Sequence, residues 1–171
     1  MSRSYSRRHL RLRGRDYSKA GAYFVTICTI NQADLFGTVV GAQVRLTDIG
    51  RVVADTWDWL PSRYAHVRLD EWCVMPNHLH GILVLTTRVA RAETDGCPER
   101  ASGPVKSLGR LVGAFKTKST NHANRLRGTP GAVLWQRDFW DRVIRNDDEL
   151  SRVREYIRRN PAQYAPRTFT M

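Results

Sequence analysis

Acidic residues are scarce in this sequence. Across 171 residues, 16 Asp and Glu stand against 28 Lys and Arg, a formal net charge of +12 at neutral pH. Such a deficit points to a polyanionic partner, nucleic acid foremost. Arg far outnumbers Lys, and its planar fork gives one phosphate two parallel hydrogen bonds. Cysteine is nearly missing. Cys28, Cys73 and Cys97 are odd in number and lack CxxC spacing, which excludes a disulfide framework and predicts free thiols in a reducing compartment, the cytoplasm by default. Long apolar runs are absent too. The longest, around residues 82–85, is strand-sized and far short of the ~20 residues of a membrane span. No apolar segment follows the basic N-terminus, so no cleaved secretory signal is expected. Internal repeats and low-complexity tracts are also lacking.

What is present is enough for a folded core. The hydrophobic fraction is 42%, with five Trp, and the length suits one domain with an added arm. Residues 1–20 read as that arm: Arg3, Arg7, Arg8, Arg11, Arg13 and Arg15 come without an acid among the first fifteen residues. Residues 21–164 read as a single catalytic domain, and 165–171 as a tail. Tyr23, Val25 and Ile27 alternate with Phe24, Thr26 and Cys28 in a first strand. Thr47 caps a helix carrying Ile49, Val52, Val53, Thr56, Trp57 and Leu60, which Pro61 is expected to end. Residues 66–75 and 78–86 follow as strands, joined tightly through Pro76 and Asn77. A polar stretch, 88–103, reads as a loop.

Residues 105–126 have helical periodicity, with Leu108, Leu111, Val112 and Phe115 on the apolar side. Lys106, Arg110, Lys116, Lys118, Arg125 and Arg127 give this region six positive charges and no acid. A fourth strand is predicted over 133–144. Asn146 or Asp147 then caps a last helix through Asn160, stopped by Pro161. The order β-α-β-β-α-β-α is that of an α+β, ferredoxin-like (RRM-like) split βαβ sandwich: a four-stranded antiparallel sheet with a C-terminal helix.

Two residue pairs have chemistry. His78 and His80 lie two apart on a strand, so both imidazoles leave one face and can share a divalent metal. Packed or exposed strand histidines fit the same spacing. Tyr156 and Asn160 lie four apart on the last helix, at the margin of its Leu150, Val153 and Ile157 stripe. A Tyr hydroxyl near a metal can attack phosphorus, and an Asn oxygen can ligate. A packing tyrosine fits as well.

Taken together, the segments resemble a known family. Met75-Pro76-Asn77-His78-Leu79-His80-Gly81 resembles the His-hydrophobic-His signature of the HUH endonucleases. Glu155-Tyr156-Ile157-Arg158-Arg159-Asn160-Pro161 resembles the catalytic helix of their single-tyrosine transposases. Trp135-Gln136-Arg137-Asp138-Phe139-Trp140-Asp141 is similar to the segment preceding that helix. The resemblance is strongest to the REP-associated tyrosine transposase branch and runs from about Tyr23 to Pro161. It implies a metal, Mg²⁺ or Mn²⁺, held by His78, His80 and Asn160, with Tyr156 as nucleophile forming a 5′-phosphotyrosine. It implies single-stranded or hairpin DNA as partner, for which Arg7, Arg8, Arg11, Arg13, Lys106, Arg110, Lys116, Lys118 and Arg137 are the candidate contacts. Gln stands in many relatives where this chain has Asn160, and Tyr or His where it has Trp140. Monomer and homodimer are both compatible with this sequence. Two other classes compete. One is a non-catalytic nucleic-acid-binding module with an RRM-like sheet, although no RNP motif is present. The other is a zinc protein built on Cys73, His78 and His80.

Overall fold

The computed structural model describes residues 19–86 and 105–164. The arm residues Arg7, Arg8, Arg11 and Arg13, the 88–103 loop with Cys97, and the 165–171 tail lie outside the described residues.

The alternation in β1 (Gly21–Cys28) sorts its side chains onto two faces. Tyr23, Val25 and Ile27 point into the main core, each 0% exposed, while Phe24, Thr26 and Cys28 face the other way. Strands β4 (Val67–Met75), β5 (His78–Leu85) and β6 (Trp140–Ile144) complete an antiparallel sheet in the order β4-β5-β1-β6. This is the ferredoxin-like arrangement read from the sequence.

Helices α1 (Asp48–Arg63) and α2 (Leu108–Arg127) cover the main-core face. Thr47 caps α1, its hydroxyl oxygen accepting from the Gly50 amide at 3.1 Å. Val53, Trp57 and Leu60 of α1 and Leu108, Leu111, Val112 and Phe115 of α2 are buried together, the Trp57 and Phe115 rings meeting edge to face. Helix α3 (Asp147–Gln163) covers the opposite face. Its cap is Asn146, whose side-chain oxygen accepts from the Glu149 amide at 2.8 Å. Val153 and Ile157 of α3 bury against Phe24, Ile82 and Ile144 in a second, smaller cluster. At about 1.5–3 kcal/mol per buried aliphatic side chain, two such anchors hold α3 far less firmly than the main core holds α1 and α2.

Four details depart from the sequence reading. A hairpin of β2 (Gly37–Val40) and β3 (Gln43–Leu46) precedes α1, turning at Gly41 with φ +63°. Pro61 and Pro161 do not stop their helices, which run on to Arg63 and Gln163. A proline in a helix's last turn removes one hydrogen bond near an end that frays anyway. The fourth strand is not 133–144 but only Trp140–Ile144, with a lone bridge from Thr29 to Trp135. The apolar content of that stretch serves packing instead: Trp135 is buried against Phe36 and Phe115, and its indole N–H donates to Ser119 Oγ at 2.9 Å.

Candidate active site

The two-residue turn at Pro76 and Asn77 sets the β4–β5 register, pairing Met75 with His78 and Cys73 with His80. His78 and His80 therefore both leave β5 on the α3 face. Between them, Leu79 fills the main core. Gly81, next in the strand, is required by packing: a Cβ there would lie 2.6 Å from the Trp57 ring.

The imidazoles converge. Their Nε2 atoms are 3.1 Å apart. The outward nitrogens are tethered: His78 Nδ1 lies 2.7 Å from Asn77 Oδ1, and His80 Nδ1 lies 2.8 Å from Thr26 Oγ1. Asn77 spends its amide N–H groups on the Gln32 carbonyl and the Tyr164 hydroxyl, at 3.4 and 3.1 Å. Its oxygen must then accept, so His78 carries its proton on Nδ1 and presents a bare Nε2 to His80. The Tyr164 hydroxyl donates in turn to Asp34 at 3.0 Å. Burial pushes His78 down to about 4, against the opposing pull of the Asn160 side chain and Asp34. Burial, then His78 itself, pushes His80 down to about 3. Both are neutral at neutral pH.

This donor set fits a divalent cation. Two ligands at neighbouring corners of an octahedral ion, with bonds of about 2.1 Å, stand about 3 Å apart, close to the separation seen here. Tethered Nδ1 atoms are the usual outer support of metal-binding histidines. Among the described residues no group of three His, Cys, Asp or Glu side chains can hold a metal. The Asn160 side chain hydrogen-bonds His78, and its amide oxygen is the neutral donor that can join the two imidazoles. The zinc arrangement with Cys73 is not formed. That thiol turns toward the Val74 carbonyl and Met75 Sδ, and burial, with Glu71 adding, raises it to about 11.

Helix α3 brings Tyr156 to the same place. Its hydroxyl is 3.4 Å from His80 Nε2, and its ring packs edge to face on Phe24 at 5.9 Å while staying 45% exposed. A break in the β4–β5 register between Leu69 and Trp72 projects Asp70 and Glu71 toward α3. Arg154 grips Asp70 with two hydrogen bonds, at 2.7 and 2.6 Å, and Arg158 reaches Glu71 at 2.8 Å. These two arginines, four residues apart, bracket Tyr156. Thr26, Asn77, Tyr164, Asp70 and Glu71 were not found from the sequence. Only Asn77 had a signal there, its place in the His78 motif.

The other predicted contacts lie elsewhere. Lys106, Arg110, Lys118 and Arg125 line one groove of about 590 Å³ along the outer side of α2. Lys118 stacks over Trp59 and Lys106 over Tyr64. Arg137 is exposed near the start of β6. Lys116 departs from this stripe. Its ammonium donates to the carbonyls of Gln136, Arg137 and Asp138 at 2.8, 3.3 and 2.9 Å, which engages all three of its donors.

Known proteins similar to this chain bear on its fold and family. An uncharacterised protein of Haemophilus influenzae is 32% identical over 164 residues, spanning 92% of this chain and 89% of that one. A second H. influenzae protein, named as a candidate REP-associated tyrosine transposase, is 23% identical over 154 residues, 88% of this chain and 75% of that one. A solved REP-associated tyrosine transposase, bound to a REP hairpin, superposes with a TM-score of 0.58 at 21% identity, covering 86% of this chain and 70% of that one. The chain shares the fold of the solved REP-associated tyrosine transposase and is similar in sequence to the second H. influenzae protein. A candidate transposase of Deinococcus radiodurans shares the transposase fold at a TM-score of 0.50 and 16% identity, covering 90% of this chain and 99% of that one. No family model matches the sequence. Among the described residues the chain has no helix long and apolar enough to cross a membrane.

Proposed function

We propose that this transposase cleaves and rejoins single-stranded DNA beside a hairpin, with Tyr156 as nucleophile and His78, His80 and Asn160 holding Mg²⁺ or Mn²⁺. The observation that carries the reading is the convergence of the Tyr156 hydroxyl and both Nε2 atoms from two separate elements. A divalent ion bound there supplies positive charge to the oxygens of the scissile phosphate and polarises its phosphorus. The neutral imidazoles leave that charge undiminished. Tyr156 Oη bonds to phosphorus as the P–O3′ bond breaks. The phenolic proton passes to water, and the departing O3′ takes one up, leaving a 5′-phosphotyrosine and a free 3′-hydroxyl. Attack on the phosphotyrosine by another 3′-hydroxyl reverses the step, so strands are rejoined without a nucleotide cofactor.

The hairpin in the related solved complex supports a hairpin-bearing substrate, and the α2 groove offers basic side chains for its backbone. The competing RRM-like module reads RNA on an aromatic sheet face. Here α1 and α2 cover one face and α3 the other.

The test is a denaturing gel of the protein with labelled hairpin-flanked oligonucleotides in Mg²⁺, Mn²⁺ or EDTA. The expected result is an SDS-resistant adduct that needs metal and vanishes in Tyr156→Phe, while that variant still retards DNA on a native gel. Retardation without an adduct in any metal overturns the catalytic reading. An adduct that survives Tyr156→Phe overturns the choice of nucleophile.

A further inference from the structure

On the N-terminal side of Tyr156, away from Asn160, the α3 face of the sheet opens into a second cavity of about 590 Å³, within the ~300–1,000 Å³ of small-ligand sites. Thr26 pairs with both His80 and Trp140 across the sheet, so the histidine and the indole rise from the two strands that flank β1, on the same face. Phe24 forms the floor and meets the Trp140 ring edge to face at 5.6 Å. Trp140 and Tyr156 are the only exposed large aromatic side chains among the described residues, at 41% and 45%, and both border this one cavity. Both rings rest on Phe24 and border unfilled space, without the burial that would justify them as core. Arg142 and Arg152 stand at the rim. Arg142 is held by Glu149, and Arg152 leans on the Asp148 carbonyl at 3.3 Å, so both are positioned rather than loose.

We infer that this cavity is a base-binding subsite: it takes the unpaired base next to the scissile phosphate of single-stranded DNA, stacked on Trp140, with Arg142 and Arg152 on the adjoining backbone. This rests on the reading of Tyr156 as nucleophile. A flat apolar ring beside fixed cations matches a nucleotide, whose base is a π-surface and whose phosphate is an anion. His80 and Tyr156 both line the cavity, so a nucleotide held there brings its phosphate to the hydroxyl and to the histidine pair together. Trp140 then selects for a base at a single position of the substrate.

The test uses the full-length Tyr156→Phe protein, which holds DNA uncut, with Mn²⁺ and hairpin-flanked oligonucleotides. Each flanking nucleotide is replaced in turn by 5-iodouracil for photocrosslinking, or by an abasic site for affinity. The expected crosslink maps to Trp140 from one position. Removing the base at that position weakens binding about 5- to 100-fold, the scale of one base–aromatic stack. Adding Trp140→Leu, which keeps an apolar side chain but removes the ring, abolishes that sensitivity while the melting temperature stays close to the parent's. The proposal is overturned if crosslinks map only to other residues, if abasic sites weaken parent and Trp140→Leu alike, or if no DNA binds. A missing adduct with the wild-type protein alongside a Trp140 crosslink fails the nucleophile reading and leaves the subsite standing.

Discussion

Asn77 acts through the proton it denies to His78 Nε2. Its own amide is fixed by the Gln32 carbonyl and by Tyr164, which Asp34 anchors, so four residues decide which imidazole nitrogen is bare. Replacing Asn77 with Ala is expected to weaken Mn²⁺ binding by about 10- to 100-fold, the usual cost of a lost outer-shell partner, as read by titration calorimetry. His78→Ala should abolish the binding, together with any rise in melting temperature on adding Mn²⁺. At Gly81 the constraint is steric. Gly81→Ala drives a methyl into Trp57 and should cost about 1–3 kcal/mol as overpacking, seen as a fall in melting temperature of several degrees. These roles differ in legibility. The histidine pair follows from strand periodicity, and Asn77 sits in the same motif. Thr26 could not be found because its contact with His80 depends on how β1 pairs with β5, and register is set by turns and by packing on both faces.

Helix α3 owes its seat to the register break in β4, which presents Asp70 and Glu71 to it, as much as to Val153 and Ile157. The Arg154 pair, chiefly through its hydrogen bonds, holds the Asp70 carboxyl below the usual aspartate range against the opposing effect of burial. A depressed carboxylate stabilises the fold above its unfolded pKa and loses that contribution as pH falls through its folded one. Asp70→Asn should therefore melt below the wild type at neutral pH, and the gap should close as acid protonates the wild-type carboxyl below about pH 4. Thermal melts across pH check this; a gap that persists at low pH rules out the charge. The elements themselves were largely legible. Thr47, Asn146 and the stripes of α1 and α2 announced their helices through spacing and caps. The β2–β3 hairpin was not, because four-residue strands are too short for alternation to stand out, and Gly41-Ala42 is not one of the strong turn pairs. The fourth strand is shorter than its apolar content suggests because Trp135 makes one isolated bridge and otherwise plugs the core.

Across the molecule, the basic α2 groove and the tyrosine site lie on opposite sides of one thin sheet, so on the proposed function the two can be tested separately. Arg110→Ala with Lys118→Ala should weaken binding of hairpin oligonucleotides at every sequence and lower the salt slope by about one per lost phosphate contact, measured by titration at several salt concentrations. Lys116→Met should leave that slope unchanged and lower the melting temperature instead, since its ammonium ties residues 136–138 to α2. The net charge alone gave the partner class but placed all these cations on one footing; only the fold separates Lys116 from Lys118.

The order of elements along the chain also sets an order in time. The histidines of β5 and the basic helix α2 are synthesised before β6 and α3. At the ~5–20 residues per second of translation, Tyr156 leaves the ribosome several seconds after His80. A chain cut short in that interval carries α2 and both imidazoles but not Tyr156, and its Phe24 and Ile82 lack the cover that α3 provides. Incomplete synthesis therefore leaves an apolar sheet face open to water, a surface prone to self-association rather than a finished site.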